Sequence, residues 1–164
     1  MPKAKNYWLL KTEPTSYSID DLERDGRTGW DGVRNYQARN LMRDDMRAGD
    51  LALIYHSSAD PAGVVGVATI VETAIPDPTQ FDPESKYFDE KSSREDPRWI
   101  MVSIAFVEKF KRTVALSELK EQAELDGMLV TKRGQRLSVQ PVDKKHFEFV
   151  RKLARKKKSS AATA

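Results

Sequence analysis

The apolar run Tyr7-Trp8-Leu9-Leu10 is closed by Lys11 and by Glu13-Pro14, and it predicts a short buried strand. Ser18 is a good N-cap for a short helix reaching Arg24, with Asp20 and Asp21 in the first turn, where the helix dipole favours acids. Gly26 and Gly29 bracket the approach to Trp30. From Asn35 to Met46 the apolar positions Ala38, Leu41 or Met42, and Met46 recur at helical spacing, which puts Arg39 and Arg43 on the opposite face. Ala48-Gly49-Asp50 then turns the chain into a strong strand, Leu51 to Ser57. The turn Asp60-Pro61-Ala62-Gly63 leads to a second strand, Val64 to Val71, so a hairpin is expected.

Beyond the hairpin the pattern loosens. Ile75 to Asp96 is rich in Pro, acids and turn residues around the pair Tyr87-Phe88, and reads as a long loop of the length that tends to be functional. Arg98 to Phe110 is the longest strand candidate. Ser117 is read as the cap of a short helix from Glu118 to Glu124. Leu129 to Thr131 and Leu137 to Val142 read as short strands on either side of Lys132-Arg133-Gly134. Asp143 caps a last helix with Phe147 and Val150 inward. Five or six strands interrupted by short helices predict a small α+β domain on a curled, mixed sheet. A single domain over residues 1–152 is expected, followed by a basic, frayed tail at 153–164.

Charge changes this picture less than the pI of 9.0 suggests. Six of the 28 basic residues fall between Arg151 and Lys158, so residues 1–150 carry 22 basic against 25 acidic groups, a net of −3. The tail supplies the positive balance and would add salt-sensitive affinity for nucleic acid without sequence preference. A local basic stretch remains between Arg24 and Arg47, with six Arg and no Lys. Arg is the better fork for planar anions. The absence of Cys excludes disulfides, thiolate catalysis and Cys-ligated metals, and suits a reducing cytoplasm. The N-terminus reads without a signal peptide, and no apolar run approaches the ~20 residues of a membrane span.

Candidate chemistry concentrates in Trp30-Asp31-Gly32-Val33-Arg34-Asn35-Tyr36-Gln37-Ala38-Arg39-Asn40. Aromatic faces stack on planar rings, Arg holds phosphate or carboxylate, and Asn or Gln can read a base edge. Each residue also has a structural reading. Trp30 serves a pocket or the core; Asn35 a helix cap or a base edge; Arg34 pairs with Asp31 or with a ligand phosphate. Tyr36 and Gln37 sit in a first helical turn, whose free N–H groups favour anions. Trp8 and Trp99 read as core. Enzyme motifs are missing: there is no G-x-S-x-G elbow, Walker loop, dinucleotide fingerprint or H-E-x-x-H. The two histidines stand apart, with no metal-ligand spacing, and His56 reads as structural or pocket-lining.

Four blocks in order, Tyr7 to Pro14, Trp30 to Asn40, Tyr55-His56-Ser57 and Arg136 to Val142, closely resemble the EVE domain. The resemblance implies a PUA-like fold, a small mixed β-barrel with flanking helices, similar to YTH domains that read N6-methyladenine in RNA. It further implies a non-catalytic reader of a modified cytosine or adenine in DNA or RNA, without cofactor or metal. Trp30 matches the position of one cage Trp. Tyr87 and Phe88 fall in the loop that carries the other cage aromatics, where this sequence has no Trp. Lys11 and Thr12 match the polar rim, and Arg136 and Ser138 the late loop facing the nucleic-acid backbone. Tyr17, His56 and Ser57 complete the candidate set.

The expected protein is a monomer that stacks one extruded nucleotide on Trp30. Asn35 and Ser57 would satisfy the base edge, and Lys11 and Arg136 would hold the phosphate. Extrusion from a duplex costs a few kcal/mol, so weak, micromolar or poorer binding is expected. A free-nucleotide or small-molecule sensor using the same pocket is the alternative, and an enzyme on a modified base with His56 as acid–base group is a further one.

Overall fold

The first apolar run does form a strand, β1 (Tyr7–Thr12), and its place in the sheet explains why that run is unbroken. In the computed structural model, which describes residues 6–156, β1 pairs in parallel with β3 (Leu51–His56) and antiparallel with β6 (Val139–Val142). The hairpin partner β4 (Gly63–Pro76) follows β3, β5 (Ile100–Ala115) follows β4, and β2 (Arg27–Trp30) closes the order β2-β5-β4-β3-β1-β6. Helices α1 (Ile19–Asp25), α2 (Tyr36–Asn40), α3 (Leu116–Lys120) and α4 (Lys144–Arg155) flank this mixed sheet.

Successive β1 side chains enter different cores. Trp8 and Leu10 pack with Ile54, Trp30, Met42, Met46, Ile70 and Ile104. Leu9 packs with Leu53, Val67, Phe110, Leu119, Phe147 and Val150. Covered faces on both sides require apolar residues at every position, hence a run rather than an alternation. Four register shifts along β4 and β5, from Val64/Gly66 to Glu72/Ile75, bend the sheet. The bend curls the sheet without closing it into the expected barrel. β2 and β6, four residues each, remain opposite edges, and no ladder joins them.

Local signals hold where side chains cap the backbone. Ser18 and Asp21 form a reciprocal capping box at α1, and the Asn35 side chain accepts from the Ala38 N–H at the start of α2. They fail where the tertiary setting decides. β2 was not foreseen because only Trp30 of its four residues is buried, as fits an edge strand. Residues Leu41–Asp45 continue α2 as a π-turn. Leu129–Thr131 is a 3-10 turn, not a strand, and Thr131 Oγ1 donates to the Met128 carbonyl at 2.6 Å. Ser117 lies inside α3, whose cap position is Ala115 at the very end of β5, so no turn remains for a serine cap. Asp143 takes the cap position of α4 without a side-chain bond, and α4 runs three residues past the expected boundary at 152. Residues 1–5 and 157–164, including most of the basic tail, lie outside the described residues.

A buried carboxylate fixes the lower end of the β1–β3 pair. Asp50 is 1% exposed and accepts from Trp8 Nε1 at 3.0 Å, the Asn6 N–H at 3.3 Å and the Arg47 N–H at 2.9 Å. Removing it strands three donors, two of them on backbone. Asp50→Ala is expected to cost about 1–3 kcal/mol of unfolding free energy in urea titration, the penalty of one buried orphan, since only the Trp8 donor belongs to a buried residue.

Candidate functional site

The ends of β1 and β3 bring together six of the residues singled out in the sequence. Parallel register sets Lys11 beside Tyr55 and Thr12 beside His56. The Ser57 N–H donates to the Thr12 carbonyl at 2.9 Å, and the Lys11 N–H donates to the Ser138 carbonyl at 2.9 Å. Thr12 Oγ1 donates to the Tyr17 carbonyl at 2.9 Å. Tyr17 then meets the ring of Trp30 edge-on, with centroids 6.4 Å apart. Trp30 itself is 8% exposed and contributes to the core with its neighbour Val33. Arg136 is exposed beside this cluster, one residue after Gln135, whose carbonyl takes the Lys11 ammonium at 3.4 Å.

Arg34, Asn35, Tyr36 and Gln37 form a second group, built around Asp77. Asp77 is fully buried; its Oδ2 accepts from the Gly32 N–H at 2.7 Å and from Arg34 Nη1 at 3.0 Å. Its Oδ1 accepts from the Thr79 N–H at 2.8 Å and from Thr79 Oγ1 at 2.5 Å. Arg34 completes its set on the Tyr87 carbonyl, at 2.8 and 3.1 Å, and on Thr79 Oγ1 at 2.9 Å. Its carboxylate partner is therefore Asp77, not Asp31, because the fold buries Asp77 beneath the turn. Gly32, at φ +79°, is required: a Cβ there would lie 2.7 Å from the Tyr87 ring. Trp99 belongs to this group as well as to the interior, since Tyr36 stacks on it at 4.8 Å. Asn35 is occupied as the α2 cap, while Gln37 is exposed.

The hubs Asp77 and Gln80 were missed in the sequence. Gln80 is buried, donates to the carbonyls of Asp77 and Trp99, and accepts from the Trp99 N–H and from Ser92. These bonds order the long segment between β4 and β5. The one available signal was Asp77-Pro78, an N-cap followed by a residue favoured in a first turn; the structure forms that turn at Pro78–Phe81.

Electrostatics separate bound from available cations. Within the Arg24–Arg47 stretch, Arg24, Arg27, Arg34 and Arg43 are ion-paired to carboxylates of the domain. Arg39 and Arg47 bond only amide and carbonyl oxygens among the described residues. Burial pushes the Lys11 ammonium below its ordinary pKa, so an anion docking beside it would be favoured. Burial and the nearby Asp77 charge raise Asp31. Asp77 is raised by burial, but its bonds from Thr79, Gly32 and Arg34 outweigh that and hold it below the usual carboxylate range. A cavity of about 700 Å³ opens elsewhere, lined by Asn6, Trp8, Met128, Pro141 and His146 among others, and no sequence-predicted site residue lines it. Among the described residues no group of three acidic or His side chains is placed to hold a metal, and no helix is long and apolar enough to cross a membrane.

An open, curled six-stranded sheet with short flanking helices, and polar and aromatic groups gathered at the β1 and β3 ends, defines a PUA-like α+β domain. The EVE domain family matches residues 6–153, and the chain belongs to it. Human thymocyte nuclear protein 1 is 39% identical over 97% of this chain and 78% of its own length. A crystal structure of a Pseudomonas syringae protein superposes with TM-score 0.86 at 45% identity, covering 90% of this chain and 99% of that one. The structure of human THYN1 in complex with DNA containing 5-methylcytosine also superposes at 0.86, with 39% identity over 94% of this chain and 100% of that chain.

Two outcomes follow from the site geometry. His56 Nε2 accepts the Ile19 N–H at 3.1 Å, which requires that nitrogen to be unprotonated. Burial lowers the His56 pKa from 6.5 against a smaller upward pull from Asp20, so the folded state favours neutral imidazole. The contribution is thus fully present above about 6.5 and lost as pH falls from there through the lower folded value. Urea titrations between pH 7.5 and 5 should show that acid-side loss in the wild type and a flatter profile in His56→Gln. Asp77→Asn leaves Arg34 facing a neutral amide and should destabilise by about 3–5 kcal/mol, the range for breaking one side of a buried ion pair. Thermal melting at matched pH checks the second outcome.

Proposed function

We propose that this domain is a non-catalytic, monomeric reader of a modified base, cytosine before adenine, presented by an extruded nucleotide of a DNA strand. One observation carries the reading: a fold matching at TM-score 0.86 and 39% identity was solved on DNA containing 5-methylcytosine. The position of the candidate residues supports it. The base sits against Trp30 and Tyr17, with Ser57 and the free atoms of Asn35 at its edge. Lys11, half-desolvated and without a carboxylate partner among the described residues, takes the phosphate together with exposed Arg136. Thr12, His56 and Ser138 shape this rim through the backbone and side-chain bonds that hold α1 and the late loop against β1.

Affinity is set by an offset. Extruding a base costs a few kcal/mol in a duplex and less in a single strand. A stacked base returns about 1–3 kcal/mol. A domain whose residues 1–150 carry a net of −3 adds little non-specific attraction. Micromolar binding to a modified single strand is the consequence, with duplex binding weaker.

The test is a fluorescence-quenching panel of short DNA and RNA strands carrying 5-methylcytosine, 5-hydroxymethylcytosine or N6-methyladenine, against unmodified controls. Trp30→Phe and Arg136→Ala accompany the wild type; Trp30→Ala is avoided, since emptying that buried site costs about 3–5 kcal/mol of fold stability. The expected result is selective quenching, strongest for methylated cytosine in DNA and weakened in both variants. Equal affinity for all strands at low salt would overturn the reading. Equal affinity for strand and free nucleoside would favour a free-nucleotide sensor instead.

A further inference from the structure

A row of flat groups leads from the Trp30–Gly32 turn to the protein surface. The Tyr87 ring lies against Gly32. The Arg34 guanidinium stands 5.4 Å from the centroid of Tyr87 and 5.2 Å from that of Trp99. Trp99 and Tyr36 are stacked with centroids 4.8 Å apart and planes within 24°. Arg39 lies beside this stack, 4.6 Å from the Tyr36 centroid and 5.9 Å from that of Trp99.

The row is unusually well fixed at its solvent end. Tyr36 is 51% exposed, the most open large hydrophobic side chain among the described residues. An exposed aromatic needs no explanation by itself. This one is held parallel to a Trp whose own Nε1 is tied to Asp89 at 2.8 Å, at the start of a helix capped by Asn35. Arg39 is fixed by bonds to the Asn40 side chain and the Arg98 carbonyl, at 2.8 to 3.1 Å. Arg39 and Arg98 form no ion pair with a carboxylate among the described residues, although Asp44 and Asp89 lie close enough to feel their charges. Phe88, 41% exposed, follows Tyr87 on the same segment. Rigid aromatic and guanidinium planes match unstacked bases on a phosphate backbone. Because the groups are already ordered, docking costs them little side-chain entropy.

We propose that Tyr36, backed by Trp99 and flanked by Arg39, is the docking face for the segment of single strand flanking the nucleotide read at Trp30. This rests on the base-reading function proposed above. A flanking base stacks on the Tyr36 ring while its phosphate faces Arg39, and the contact is indifferent to base identity.

The experiment compares the affinity of a 10-nucleotide single strand with one central 5-methylcytosine to that of free 5-methyldeoxycytidine. Wild type, Tyr36→Ala, Tyr36→Phe and Arg39→Gln are measured across a salt series, with melting curves as a fold control. Tyr36→Ala should reduce the ratio of strand to nucleoside affinity about tenfold, within the range for losing one stacked base, and Tyr36→Phe should restore it. Arg39→Gln should lower the slope of log K against log salt by about 0.7, the loss of one phosphate contact on a single strand. An unchanged ratio in a folded Tyr36→Ala protein would overturn the proposal even if base selectivity persists. A wild type with no preference for methylated over plain cytosine would instead overturn the base-reading function, and a strand that does not bind at all would overturn both.

Discussion

Much of the geometry around Trp30 depends on one buried carboxylate. Asp77 reaches across from the end of β4 and binds the Gly32 N–H and the Arg34 guanidinium at once. The turn after β2 and the segment after β4 are thereby joined, 45 residues apart in sequence. Arg34 extends the joint to the Tyr87 carbonyl. Left unpaired, each of these charges would carry a desolvation penalty of several kcal/mol, which makes the arrangement close to all-or-none. Tyr87, Trp99 and Tyr36 inherit their positions from it.

The same joint limits what the arginines can do for a ligand. Four of the six in the Arg24–Arg47 stretch are matched to carboxylates of the domain, so a basic run becomes a set of internal struts. Exposed cations lie instead on the late loop, at Lys132, Arg133 and Arg136, next to Lys11, while Arg39 and Arg98 at the outer end of the aromatic row are half-buried. These few cations, on a domain whose 25 basic and 25 acidic residues balance through Arg155, suit recognition of a short stretch of backbone. They do not suit long-range attraction to a polyanion, which requires many phosphates neutralised together.

Placement of these groups follows from the sheet. β1 and β3 run parallel, so their C-terminal ends open on the same side, with Lys11 beside Tyr55 on one face of the sheet and Thr12 beside His56 on the other. The register shifts along β4 and β5 curl the far strands, and β2 is held antiparallel to β5 with Trp30 opposite Val102. Tyr17, carried in the connection between β1 and α1, bridges the two regions through its edge contact with Trp30.

Local patterning was enough to read the buried strands, the capped starts of α1 and α2 and the four blocks that mark the family, because each rests on residues close together in the chain. Ser18 with Asp21 and Asn35 with Ala38 are contacts over three residues, and their chemistry is readable as spelled. Lys11 and Thr12 were expected at the rim from the family resemblance, and the parallel pairing of β1 with β3 brings them next to Tyr55, His56 and Ser57. Tertiary structure alone decided the openness of the sheet, the existence of β2 as an edge, and the choice of Asp77 over Asp31 for Arg34. It also decided that Trp99 serves both the interior and the Tyr36 stack. Each of those outcomes compares partners distant in sequence, and the comparison turns on burial: a carboxylate three residues away in the chain loses to one 43 residues away that the fold has removed from water.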